Sequence, residues 1–238
     1  MIRPFTKKYG IDRDLFEKAD YASFNDFFIR KFAAGKRDFP RDPRTLGAPA
    51  EARYLGWNQI DDTITFPVKG IELSAEKILA PVNLTSTFSG GPLLVARLCP
   101  TDYHRFHFPD DGVWDHSVRV AGSLHSVNPM VYARKPHVFS TNARTVSVLK
   151  TEHFGMLAFV EVGAMNVGKI VQSAEVGGAF KRGQEKGYFL FGASTVLVFG
   201  EAGRWRVDPG VADRTRKGVE TWVPLGWPLA YSSVSNVG

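Results

Sequence analysis

Short apolar runs separated by turn-forming glycines constrain this chain more than any other feature of its sequence. They fall at 63–68, 93–98, 113–120, 145–150, 156–162, 167–172, 188–191 and 195–199. Each has the length of a strand and is enriched in Val, Leu, Ile, Phe and Thr, whereas an amphipathic helix needs a periodic stripe sustained over several turns. Glycine-containing turns close the gaps between them at short intervals, which argues for hairpins in antiparallel or mixed sheets and against βαβ units. The expected class is α+β: one β-rich core with an N-terminal helical segment, interrupted by a short helix near 74–79.

The N-terminal segment carries a different pattern. In Ser23-Phe-Asn-Asp-Phe-Phe-Ile-Arg-Lys-Phe32, residues Phe24, Phe27, Phe28 and Phe32 share one helical face. Ser23 suits an N-cap with Asp26 three residues on, Arg30 and Lys31 suit the C-terminal end of the dipole, and Gly35 ends the helix. Such a face packs on its own core or rests on a lipid surface, and core packing is the expectation. Residues 36–50, with Pro40, Pro43 and Pro49, read as a connecting arm. The chain thus divides into a helical arm at 1–47, with a membrane-docking role as the alternative use of its Phe face, and a β-rich core at 48–238. The tail beyond Gly200 has no pattern that assigns it a role.

At 238 residues the chain can bury roughly 70% of its unfolded surface without staples. Cys99 is its one cysteine, so no intramolecular disulfide forms and thiolate zinc sites are excluded by count, which fits a reducing compartment. No apolar stretch of signal-peptide length follows the basic N-terminus. The most apolar region, 154–171, is broken by Glu161, Asn166 and Lys169, so a spanning helix is not expected and any membrane would be met from its surface. Net charge is +6, and the first 47 residues hold 11 Lys and Arg against 7 Asp and Glu. That surplus attracts lipid headgroups, nucleic acid or phosphorylated small molecules alike, and equally suits a solvated face.

Three places offer chemistry. Gly192-Ala193-Ser194-Thr195 sets a serine between apolar runs but lacks the last glycine of a nucleophile elbow, so an α/β-hydrolase is not supported. His104-Arg105-Phe106-His107 could offer two metal ligands, yet no third lies nearby and no metal is expected. Glu51 ends Ala48-Pro49-Ala50-Glu51. Taken singly, a turn and satisfied structural histidines account for these residues better than catalysis does.

In combination they carry a resemblance. The chain resembles the phosphatidylserine decarboxylases in Phe24-Asn-Asp-Phe-Phe-Ile-Arg-Lys-Phe32, Val68-Lys-Gly-Ile71, Arg97-Leu-Cys-Pro-Thr-Asp-Tyr-His-Arg-Phe-His107 with Pro109 and Gly112, Ser126-Val-Asn-Pro129, Val162-Gly-Ala164 with Val167-Gly168, and Lys181-Arg-Gly-Gln-Glu-Lys-Gly-Tyr-Phe-Leu-Phe-Gly-Ala-Ser-Thr195. The resemblance implies a carboxy-lyase that matures by self-cleavage. Ser194 would attack the carbonyl of Ala193, the resulting ester would break by β-elimination, and a pyruvoyl group would be left at residue 194 as the cofactor. Two subunits, 1–193 and 194–238, would come from one precursor, with a homodimer compatible. By the same resemblance His107 is the base, Glu51 orients it in the manner of a Ser-His-acid triad, and His104 assists decarboxylation after the substrate amine forms a Schiff base. The implied substrate is a phospholipid, phosphatidylserine, converted to phosphatidylethanolamine and CO2 at a membrane surface by a cytoplasmic, peripherally associated protein. Nucleic acid is not an implied partner.

Two positions depart from the family pattern. Ala48-Pro49-Ala50-Glu51 stands where Ser-Pro-x-Asp is usual, and Ala193 stands where many members have Gly. The same chemistry on a soluble amino acid, or an unprocessed lipid-binding or interaction relative, are the alternative readings.

Overall fold

The computed structural model describes residues 2–60, 63–66, 71–125, 138–163, 170–191 and 194–233. Parts of the expected runs at 63–68 and 167–172, together with Gly192 and Ala193, lie outside the described residues. Helices α1 (Ile2–Tyr9) and α2 (Phe24–Phe28) are followed by strands β1 (Thr45–Gly47), β2 (Ala52–Trp57), β3 (Thr63–Phe66) and β4 (Ile71–Ser74). Helices α3 (Ala75–Leu79) and α4 (Thr85–Phe88) precede β5 (Leu93–Leu98), β6 (Arg105–His107) and β7 (Gly112–Val120). After the helical turn Val138–Thr141 come β8 (Arg144–Thr151), β9 (Met156–Val162), β10 (Ile170–Gln172), β11 (Ala179–Phe180), β12 (Glu185–Phe189) and β13 (Ser194–Gly200). The tail adds β14 (Trp205–Val207), the helix Pro209–Arg216, β15 (Thr221–Val223) and β16 (Pro228–Ser232).

Eight strands form the central sheet in the order β11-β7-β8-β9-β13-β5-β2-β15, and its neighbours are antiparallel throughout. The result is the expected α+β, β-rich architecture. Side chains alternate across each strand, so the sheet has two apolar faces. One carries Tyr54, Leu98, Phe159, Val196 and Val198, the other Leu55, Val95, Val160, Leu197 and Phe199. Two three-stranded sheets, β10-β12-β6 and β1-β16-β14, supply Phe106, Phe189, Leu46 and Val207 to the first face. Ile78, Leu79, Phe88 and Phe139 from the helices pack on the second. With both faces covered, the middle strands read as unbroken apolar runs instead of alternating ones, and every residue of β13 is buried.

Helix α2 is shorter than its Phe stripe suggests. Ser23 caps it as expected, accepting from the Asp26 N–H at 3.1 Å, but Ile29 at φ −93°, ψ 21° already leaves the helix. The chain turns there because Arg30 and Phe32 have better partners elsewhere. Arg30 is buried with its guanidinium over the Phe16 and Phe27 rings, and Phe32 stacks on Phe16 at 4.9 Å. Phe27 and Phe28 are buried, so the stripe serves the protein's own core. Among the described residues no helix is long and apolar enough to cross a membrane.

The arm is clasped to the core by Arg182. Its guanidinium donates to the carbonyls of Pro40, Asp42, Pro43 and Thr45 and to Asp110 Oδ1 at 2.6 Å.

Candidate active site

The site grows from the end of the central sheet where β5 and β13 meet. Ser194 opens β13 opposite Leu98, the last residue of β5. From Leu98 the chain enters a tight turn in which the Asp102 N–H donates to the Cys99 carbonyl at 2.8 Å. Asp102 braces that turn by accepting from the Cys99 N–H (2.7 Å) and from Arg53 (2.9 Å). The turn delivers Tyr103 and His104 into β6.

His104 is fully buried and held on three sides. Its Nδ1–H donates to the Asp102 carbonyl at 2.9 Å, its own carbonyl accepts from the Phe189 N–H at 2.9 Å, and its ring lies 3.7 Å from that of Phe28. Arg30 donates to the same Asp102 carbonyl (3.2 Å) and to that of Thr101 (2.9 Å), fixing the acceptor that fixes the histidine. Because Nδ1 faces a carbonyl it carries the hydrogen, which leaves Nε2 a bare lone pair. Nε2 has no partner among the described residues. Burial, with a smaller push from the Arg30 charge, holds His104 down to about 3, so the ring is neutral at physiological pH.

Ser194 is as deeply buried, and its Oγ has no hydrogen-bond partner among the described residues; Thr195 Oγ1 shares both properties. Helix α2 links the approach to Ser194 with His104. Asn25 accepts from the Phe191 N–H at 3.0 Å, and the Phe191 ring packs edge-on against Phe24 and Phe28 at 5.2 and 5.1 Å. Phe28 therefore contacts both His104 and the segment that leads into residue 194.

His107 lies on the opposite side of β6. Its Nδ1–H donates to the Gly183 carbonyl at 2.8 Å, and Nε2 faces the Tyr103 hydroxyl at 3.4 Å. Burial lowers this histidine too. The Ala48–Glu51 segment does reach it, since the His107 N–H donates to the Pro49 carbonyl at 2.8 Å. The Glu51 carboxylate does not. Arg37 engages both its oxygens, at 2.6 and 3.2 Å, and the Leu225 N–H donates to one of them at 3.3 Å. The structure thus brings backbone to His107 where the sequence suggested a carboxylate. Asn25, Phe28, Arg30 and Asp102 were not singled out as site residues by pattern. Their signal was their place inside the two motifs that hold Phe24–Phe32 and Arg97–His107.

A family model for phosphatidylserine decarboxylase matches residues 24–220, which include Ser194, His104, His107 and Glu51. A phosphatidylserine decarboxylase proenzyme of Desulfitobacterium hafniense (strain Y51) is 39% identical over 227 residues, covering 94% of this chain and 76% of the relative. Proenzymes of the same description from Clostridium novyi (strain NT) and Clostridium botulinum (strain 657 / Type Ba4) are 38% and 36% identical, over 94% and 96% of this chain and 77% and 78% of their own lengths. The chain belongs to the phosphatidylserine decarboxylase family.

Proposed function

We propose that this chain is a carboxy-lyase that cuts itself between Ala193 and Ser194 and then converts phosphatidylserine to phosphatidylethanolamine and CO2. The observation that carries the reading is the pair of buried polar atoms, Ser194 Oγ and His104 Nε2, that have no hydrogen-bond partner among the described residues, with the His104 ring against Phe28 and Phe191, three residues ahead of Ser194, against the same Phe28. A hydroxyl buried without a partner costs stability and is kept where chemistry needs it.

A pyruvoyl group made from Ser194 fits this setting, because residue 194 heads a buried strand and its Oγ makes no hydrogen bond among the described residues; such a group supplies an electron-accepting ketone that captures the substrate amine. The protein's own residues do the rest. Ser194 is the nucleophile, and His107 is the base in maturation, its tautomer set by Gly183 so that Nε2 can accept a proton. Glu51 acts indirectly, by anchoring through Arg37 and Leu225 the segment whose Pro49 carbonyl holds His107. His104, kept neutral and with Nε2 open, receives or returns a proton during decarboxylation.

Cleavage before Ser194 leaves residues 194–238 woven into residues 1–193. β13 lies between β9 and β5, β15 pairs with β2, and β16 pairs with β1. The two pieces stay together until the sheet unfolds. The basic arm, with Arg3, Lys7 and Lys8 exposed on α1, docks on an anionic lipid surface.

Intact mass under denaturing conditions tests the cleavage. The expected result is a fragment of residues 194–238 with a blocked N-terminus, co-eluting with its partner fragment under native conditions, while Ser194→Ala stays whole. A parent chain that remains uncut, or a Ser194→Ala chain that is cut, would overturn the reading.

A further inference from the structure

A second buried polar cluster lies on the same face of the central sheet and takes no part in the chemistry so far described. Lys186 and Glu161 are both fully buried and form an ion pair at 2.5 Å. Lys186 is placed there by an irregularity of β12. Glu185 pairs with His107 and Gly187 with Phe106, so Lys186 is the extra residue of a β-bulge, a device that re-aims a side chain. Its ammonium donates to Glu161 Oε1, to Ser147 Oγ and to Gln172 Oε1, the last two at 3.0 Å, and lies 3.8 Å from the Trp114 ring centroid. All three of its hydrogens are used. Glu161 is not so fully engaged: the Gln172 side chain is beside its carboxyl, but its buried Oε2 makes no hydrogen bond among the described residues.

The register places that free oxygen. Glu161 pairs directly with Val196, and Thr195 with Val162. Ser194 and Glu161 are therefore diagonal neighbours on adjacent strands and on one face, that of Leu98, Phe159 and Val196. Diagonal neighbours of this kind sit about 7–8 Å apart, within reach of a long side chain. Burial pushes the Glu161 carboxyl up and the Lys186 ammonium down, and each partner opposes the shift of the other. Stability alone is a poor reason for such a pair, since apolar residues of similar volume usually serve as well.

We propose that Glu161, held by Lys186, is a positioning residue for self-cleavage: its free Oε2 accepts the hydrogen of the Ser194 hydroxyl and turns Oγ toward the carbonyl of Ala193. The inference rests on the self-cleavage reading above. In the step it assists, His107 takes that hydrogen over as the proton leaves Oγ, the bond from Oγ to the Ala193 carbonyl carbon forms, the bond from that carbon to the Ser194 nitrogen breaks, and His107 delivers the proton to that nitrogen. Glu161 and Lys186 leave the step as they entered it.

The test is the time course of chain cleavage, by intact mass, in the parent, Glu161→Gln and the double variant Glu161→Met/Lys186→Met. The double variant removes both charges and leaves neither unpaired, so a merely structural pair predicts parental cleavage. We expect it to melt no lower than Ser194→Ala and to cleave slower by on the order of 100-fold, as for loss of one preorganised polar group. Cleavage within about threefold of the parent, a change too small for that loss, overturns the proposal. If the double variant does not fold, Glu161→Gln decides by the same two limits. A parent that never cleaves removes the self-cleavage reading and this inference together, whereas a parent that cleaves beside an equally fast double variant removes this inference alone.

Discussion

At the Ser194 end of the central sheet, several buried polar atoms have no hydrogen-bond partner among the described residues; the buried Asp110 carboxylate, just ahead of β7, is saturated. Among the described residues, Ser194 Oγ, Thr195 Oγ1, His104 Nε2 and Glu161 Oε2 all lack a hydrogen-bond partner. Asp110, equally buried, accepts from His153 through both N–H and ring and from Arg182, whose guanidinium makes five hydrogen bonds. An unpaired buried polar group costs about 1–3 kcal/mol, so the first region lowers the stability of the fold and the second raises it. The difference teaches where to look for chemistry. Folding explains the clasp, and it does not explain the orphans.

The sharpest way to probe the clasp is to remove its cation. Arg182→Met leaves the Asp110 carboxylate buried with His153 alone and removes a donor from the carbonyls of Pro40, Asp42, Pro43 and Thr45, of which Asp42 keeps the Thr45 N–H. The expected loss is about 3–5 kcal/mol, read by urea unfolding in a Ser194→Ala background so that every molecule is one uncut chain. A loss below about 1 kcal/mol, the level of an exposed ion pair, would erase the contrast between the two regions.

The two regions were unequally legible in the sequence. Runs 93–98 and 156–162 appear as β5 and β9 at their expected bounds, because strands buried on both faces announce themselves as unbroken apolar runs. The tail beyond Gly200 was illegible as strands, since β14 and β15 are three residues each and too short for a period. Its helix did leave a signal, an Asp208 N-cap followed by Pro209, that pattern reading passed over. The clasp could not be read at all: Arg182 finds carbonyls some 140 residues away, and nothing local marks them. Ser194, His104 and His107 were found only by resemblance. Glu51 was found the same way, and its pairing with Arg37 depends on how the arm folds back, which no spacing encodes.

Acid probes the orphaned region through His104. In the unfolded chain this histidine protonates near 6.5, whereas burial holds it down to about 3 in the fold. Between those values the unfolded state binds a proton that the native state refuses, so stability falls as pH falls. For this group alone the loss between pH 7 and 5 is about 2 kcal/mol. His107 is shifted the same way and adds to the slope. Unfolding curves at the two pH values should therefore converge for His104→Gln relative to its Ser194→Ala reference. Parallel behaviour of the two proteins would mean that His104 can be charged in place, and its open Nε2 would lose its meaning.

Thr195→Val gives the smallest effect and the cleanest one. The two side chains share a shape, so the substitution deletes only a buried hydroxyl that has no partner. A hydroxyl that bonds to nothing contributes no stability, and its removal also removes the cost of desolvating it. The expected outcome in the Ser194→Ala background is no loss, with a gain of up to about 1 kcal/mol. Were the same substitution to cost about 1 kcal/mol or more, the hydroxyl would be hydrogen-bonded in solution. The end of β13 would then be satisfied on the face that Thr195 shares with Leu197, and the contrast with the clasp would rest on Ser194, His104 and Glu161 alone.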